Sequence, residues 1–461
     1  MIKKFIGDKS LYKRVFVLML PIMIQNGITN FVNMLDNIMV GNVGQLQMTG
    51  VAVANQLIFV FNLCVFGAIS GAGIFTAQYF GKRDLEGVKQ TFCFKMIFCV
   101  LLALAGILLF RFGGESLMSL YLRDEFNADS AMQSLEFGKG YMQIMLIGLV
   151  PYTIAQCYGS TLRETNQAFI PMIAGVIAVI FNMSFNYILI FGKFGAPRLG
   201  VNGAAIATVI SRFAELAFLI IYTLIKRAEC SFILNGWKKP YVSFGLICEI
   251  FKKGMPLMIN EALWAAGIAK VNQCYSLRGI DVVAANNISQ TFFNVFSVAF
   301  MAVGVSIGII LGQDLGNGDD NSVKETASKL IVFSVFISVL AGIIYAVTAK
   351  YIPLIYNVSG SVRITATRLM QITALTLPFD AYANASYFTL RSGGKVLITL
   401  IFDSIFVWCV NVTSALILVK YTSLGILQIY FICQMLNFIK CVLGYVFVKR
   451  GSWIKNIISD V

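Results

Sequence analysis

The chain has 461 residues, 58% of them hydrophobic and 13% charged, with a mean hydropathy of +0.79, values that exclude an ordinary soluble domain. Its formal net charge is +14, but basic residues of a polytopic membrane protein collect in cytoplasmic loops, so the excess is no signal for nucleic acid. Histidine is absent, which removes His-centred catalysis, metal ligation and proton relay, and the ten cysteines lack ligand-like spacing and read as reduced packing residues.

Twelve apolar stretches of membrane-spanning length follow one another at about 15–38, 51–78, 92–112, 137–160, 168–191, 201–225, 248–272, 284–310, 328–348, 366–389, 396–418 and 423–448. They leave room for short connections only, so the predicted fold class is an all-α integral membrane protein. The basic segment before residue 15 has no small-residue cleavage site after it, so the first span stays in place. Lys3, Lys4, Lys9, Lys13 and Arg14, then Lys82 and Arg83, then Lys226, Arg227, Lys238, Lys239, Lys252 and Lys253 all fall on one side. That side carries about twice the basic residues of the other, which places both termini in the cytoplasm and the protein in the cell membrane as a multi-pass chain. The connection 226–247 then separates an N-terminal six-helix lobe, 1–225, from a C-terminal one, 248–461.

The halves repeat each other in order. Pro21, Gln78, Gly81 and Val88-Lys89 return 235 residues later as Pro256, Gln313, Gly316 and Val323-Lys324, Thr161-Leu162-Arg163 returns at 389–391, and Leu199-Gly200 at 424–425. Six spans per repeat is even, so both halves cross the membrane in the same sense, which predicts two six-helix bundles about a central cleft and transport by alternating access. Prolines within spans, notably Pro21, Pro151, Pro256 and Pro378, offer bend points.

A few polar side chains interrupt the spans, and in hydrocarbon each needs a reason. Asp36 closes the first span, which also carries Gln25, Asn26, Asn30 and Asn33; Asn182 and Asn186 share a helix face in the fifth; Thr208 lies early in the sixth. Under the orientation above, Asp36 and Asn186 both come late in outward-going helices and Thr208 early in an inward-going one, so with Asn182 the four can meet in the outer half of the membrane. Glu261 in the seventh span and Asp380 in the tenth lie near mid-membrane, where they either take part in substrate or proton coupling or neutralise Lys270, Arg212 or Lys440. Arg212 and Glu215, three residues apart, predict an internal ion pair.

Leu20-Pro21 through Asp36, Val40-Gly41, Val43-Gly44, Gln78-Tyr79-Phe80-Gly81, Leu162-Arg163 and the run from Ile190-Phe191-Gly192 to Gly200-Val201-Asn202-Gly203-Ala204-Ala205-Ile206-Ala207-Thr208 resemble the multidrug and toxic compound extrusion (MATE) transporters, over the whole chain. The resemblance implies export of bulky, often cationic, organic compounds against an inward flow of Na⁺ or H⁺. It implies a cation site in the first lobe at Asp36, Asn182, Asn186 and Thr208. Many relatives carry Asp at the position of Asn186, so one charge is missing here, which favours a metal ion over a proton. Asp380 matches a tenth-span carboxylate that is functional in another branch, and Glu261 lies about a turn before that branch's seventh-span Glu.

The predicted function is therefore secondary cation-coupled antiport by a single chain, with membrane lipid and a small organic substrate as its partners. The alternative is a flippase for a lipid-linked saccharide or other amphiphile. No GxxxxGK[ST] or HExxH sequence occurs, so neither ATP drive nor enzymatic chemistry is expected, and no cofactor beyond the coupling ion.

Overall fold

In the computed structural model the described residues are 7–41, 43–122, 128–318, 320–356 and 358–460; Lys3 and Lys4 of the expected cytoplasmic cluster lie outside them. Among these residues the chain is helical throughout, with no strand, as a backbone surrounded by hydrocarbon requires. The first half contains α1 (Lys9–Gly41), α2 (Gln45–Gly81), α3 (Leu85–Leu122), α4 (Ala128–Ile147), α5 (Leu149–Glu164), α6 (Phe169–Phe191) and α7 (Gly200–Ile225), followed by the short α8 (Ser231–Lys238). The second contains α9 (Phe244–Ser276), α10 (Ile280–Asn317), α11 (Asp320–Thr348), α12 (Gly360–Ser392), α13 (Val396–Leu400), α14 (Thr413–Tyr421), α15 (Ile426–Met435) and α16 (Asn437–Arg450).

All twelve predicted spans are helical, and among the described residues nine helices are long and apolar enough to cross a membrane. The other three crossings have local causes. The fourth is broken into α4 and α5 at Gly148, with Pro151 in the first turn of α5, where its missing N–H has no partner to lose. The seventh (α9) and tenth (α12) carry Glu261, Lys270 and Asp380 in or beside their apolar stretches. The eleventh crossing is apolar but irregular, running as a π-helix over Ile401–Ile405 and again over Val407–Val412 between α13 and α14.

The chain forms two compact units, one of Ile24–Thr76 and Asp84–Gly254, the other of Met1–Met23, Ala77–Arg83 and Met255–Val461. Helices α1 and α9 pass from one unit to the other next to Pro21 and Pro256, the repeated prolines inside them.

In the first unit a buried ion pair joins α3 to α5. Lys95 Nζ lies 2.5 Å from Glu164 Oε2, 3.1 Å from Ser160 Oγ and 3.3 Å from Thr161 Oγ1, so its three protons are used, while Ser160 Oγ donates to Glu164 Oε1 at 2.6 Å. The amphipathic α8 docks beside it, with Trp237 Nε1 donating to Tyr158 Oη at 2.6 Å.

In the second unit the ends of α2 and α10, which carry the repeated glutamines and glycines, cross each other. A Cβ on Gly81 would stand 1.9 Å from the Gln313 carbonyl oxygen, and one on Gly316 1.9 Å from the Gln78 carbonyl oxygen, so only glycine permits this reciprocal approach. The buried Gln78 side chain donates to the carbonyls of Ser392 (3.1 Å) and Lys455 (3.2 Å) and accepts from the Ile457 amide (2.9 Å). Trp453, just before that segment, is fully buried.

Candidate functional site

Helices α6 and α7 are joined by a turn that glycine makes. Gly192 ends α6 in the left-handed region at φ 68°, Gly200 opens α7 at φ 55°, and Leu199 N donates back to Leu189 O at 2.9 Å. The hairpin brings Thr208 of α7 alongside Asn182 and Asn186 of α6, which are buried at 5% and 1% exposure.

Against this hairpin α1 places Asp36. Asn186 Nδ2 donates to Asp36 Oδ1 at 2.6 Å and reaches Asn182 at 3.0 Å; Asn182 lies 3.2 Å from Thr208 Oγ1, which itself donates to Ala204 O. The structure thus brings together all four residues predicted for the first lobe. None of the ion pairs among the described residues includes Asp36.

The Asn182 amide has two orientations of opposite meaning. With Nδ2 toward Asp36 it donates to the carboxylate oxygens at 3.0 and 3.2 Å, and its oxygen accepts from Thr208 when that hydroxyl turns away from Ala204 O. With Oδ1 toward Asp36 it accepts from Asn186 Nδ2 at 3.0 Å and adds an oxygen beside a carboxylate, a repulsion that a cation between them relieves. Asn186 Oδ1, buried and without a hydrogen-bond partner, is a further oxygen awaiting such a charge. A carboxylate, two amide oxygens and a hydroxyl are the donors a hard monovalent cation takes.

The second-half carboxylates have other surroundings. Asp380 accepts from Asn437 Nδ2 at 3.2 Å, and Glu261 from Tyr387 Oη at 3.3 Å; among the described residues neither forms a direct ion pair with the bases proposed from sequence. Lys270 bonds Gln273, Arg212 stacks over the Tyr152 ring at 4.9 Å, and Lys440 pairs with Asp403 at 2.5 Å. The predicted Arg212–Glu215 ion pair does not form among the described residues, because Arg212 turns to that ring instead.

Asp403 is the residue that sequence reasoning missed. Its Oδ2 accepts from Asn260 Nδ2 at 3.2 Å, Asn260 Nδ2 also reaches Tyr387 Oη at 3.4 Å, and Ser404 Oγ is 2.7 Å from the Asn260 side-chain oxygen. The signal was available: a lone carboxylate in Ile401-Phe402-Asp403-Ser404-Ile405 is as anomalous as Asp36.

Twelve helical crossings in two repeated halves, with uncompensated polar groups buried inside, define a polytopic helical membrane transporter. The family profile described as MatE matches residues 21–188 and 256–418. A probable multidrug resistance protein NorM of Thermotoga maritima is 26% identical over 449 residues, covering 96% of this chain and 93% of that protein. The probable multidrug resistance protein YoeA of Bacillus subtilis is 23% identical, covering 91% and 90%. The fold is shared with a solved multidrug resistance MATE family transporter of the MOP superfamily in an outward-facing conformation (TM-score 0.86, 17% identity, 98% of each chain). It is shared too with a MOP superfamily transporter from Pyrococcus furiosus, described as having a binding pocket of reverse polarity (TM-score 0.85, 17% identity, 99% and 98% covered). The chain belongs to the MATE family of transporters.

Proposed function

We propose that this protein is a cation-coupled antiporter that exports bulky, cationic organic compounds by alternating access of its two halves, residues 1–225 and 248–461, acting as a single chain in the cell membrane with both termini cytoplasmic. The observation that carries the coupling is Asp36 with the unpartnered Asn186 Oδ1 beside it: a half-buried carboxylate without a base, next to a buried acceptor without a donor. A cation bound there satisfies both, and the Asn182 amide turns its oxygen inward to complete the set. Binding lowers affinity for the exported compound, and by reciprocity the compound weakens cation binding by the same factor. Release of the cation on the cytoplasmic side returns Asn182 to donating toward Asp36.

With a neutral amide at position 186, the set favours Na⁺ over H⁺. The multidrug resistance names of the relatives support the substrate class. The test is efflux of ethidium from proteoliposomes containing only this protein, under a Na⁺ gradient at equal pH and then under a pH gradient without Na⁺. Efflux is expected with Na⁺ and not in Asp36→Asn. Efflux driven by the pH gradient alone would overturn the ion assignment, and dependence on neither gradient would overturn antiport.

A further inference from the structure

The internal repeat gives each second-half residue a counterpart in the first. The offsets that relate Pro21 to Pro256, Arg163 to Arg391 and Gly200 to Gly425 set Asn260 opposite Gln25, Asp403 opposite Gly175 and Lys440 opposite Glu215. The contacts repeat as well: a Cβ on Gly175 would lie 3.3 Å from Gln25 Cγ, just as Asn260 reaches Asp403. The same helix packing therefore forms in the first half with a glycine where Asp403 stands. Packing does not require the Asp403–Lys440 charges, and a buried pair of this kind contributes little net stability over apolar side chains.

The surroundings of the Lys440 ammonium are those that recognise an organic cation. A carboxylate oxygen lies 2.5 Å from Nζ, and the Phe402 and Phe406 ring centroids lie at 5.4 and 6.0 Å. Asp403 is held from its other side by Asn260, itself held by Ser404, while Lys440 reaches in on a flexible four-carbon stem, so the carboxylate is the fixed partner and the ammonium the movable one. The π-helix that carries Asp403 is a form concentrated at functional sites. Glu261, joined to Asp403 through Tyr387 and Asn260, has the Arg391 guanidinium as its own neighbouring positive charge, over the Tyr387 ring at 5.9 Å, so Asp403 and Lys440 form a pair of their own.

We propose that Asp403 receives the cationic group of the exported compound and that Lys440 is its tethered placeholder, returning to Asp403 when the compound leaves. The proposal rests on the export reading above and gives it a residue. A planar aromatic cation would take over both the carboxylate and the phenyl faces, and the displaced ammonium, still nearby, would keep affinity low enough for release.

The probe is ethidium, titrated by fluorescence into the purified full chain, with size-exclusion profiles reporting fold. Lys440→Met keeps the apolar stem and removes the competitor, so ethidium should bind at least about tenfold more tightly than to wild type. Asp403→Asn should weaken it at least about tenfold, and the double neutral variant Asp403→Asn with Lys440→Met, which leaves no buried charge unpaired, should match that loss. Unchanged or weaker binding in a monodisperse Lys440→Met overturns the proposal. Should that single variant fail to fold, unchanged binding in the double variant overturns it in the same way. Absence of ethidium binding to wild type and variants also overturns it, while Na⁺-driven export of another compound by the same wild-type protein would leave the export reading standing.

Discussion

Asp36→Asn keeps the size of the side chain and its contact with Asn186, now at 2.6 Å from a carboxylate oxygen, while deleting the charge. For a cation about 4 Å from the carboxylate centre and an effective dielectric of about 20, the lost attraction is about 4 kcal/mol, roughly a thousandfold in affinity. Asp36 is only half-buried, and solvent screening lowers that figure, so a loss of about a hundredfold is the working expectation. The assay is the Na⁺ concentration giving half-maximal ethidium efflux from proteoliposomes, measured beside ethidium movement down its own gradient without Na⁺. The first should rise by about a hundredfold or more, and the second should stay within a few-fold of wild type, because the substitution touches coupling and not the pathway. A half-maximal concentration within about threefold of wild type would refute the reasoning, since among the described residues no other carboxylate joins this cluster.

Asn186→Asp puts a second carboxylate within hydrogen-bond distance of Asp36; two such groups share one proton, so efflux driven by a pH gradient without Na⁺ should increase over wild type. Glu164→Gln leaves Lys95, whose side chain is fully buried, without its counter-charge, and should cost about 3–5 kcal/mol in stability, seen as a fall in Tm in detergent. The paired replacement Lys95→Met with Glu164→Leu should recover most of it. Gly81→Ala should prevent normal assembly, since the new methyl would sit 1.9 Å from the Gln313 carbonyl oxygen, whereas Gly27→Ala, with nothing within 4 Å, should express and elute as wild type. Size-exclusion profiles of the two side by side check this.

Hydropathy made the crossings legible because a spanning backbone has one solution, and the first-lobe cluster was legible because Asn182 and Asn186 are one helical turn apart and their partners lie at matching depths. What escaped were pairs with no local periodicity. Lys95 and Glu164 are 69 residues apart, and Lys440 and Asp403 are 37 apart on different helices, so no i,i+4 rule joins them. The π-helix at 401–405 further shifts the phase of the eleventh crossing, which a 3.6-residue reading cannot anticipate. Arg212 shows the opposite error: correct spacing predicted an ion pair with Glu215, but its guanidinium lies over the Tyr152 ring on α5 instead.

Gln78 sets a clock on biogenesis. Its amide oxygen accepts from a main-chain N–H 379 residues further along, so α2, among the first helices to leave the ribosome, cannot complete its bonds until residue 457 has been made. The interval is filled by ten further crossings. During that interval the buried end of α2 needs a substitute partner, from water, lipid headgroups or the insertion machinery. Premature termination before residue 455 would leave the bonds to Lys455 and Ile457 unmade, giving a quality-control factor a local mark by which to distinguish an unfinished chain from a finished one.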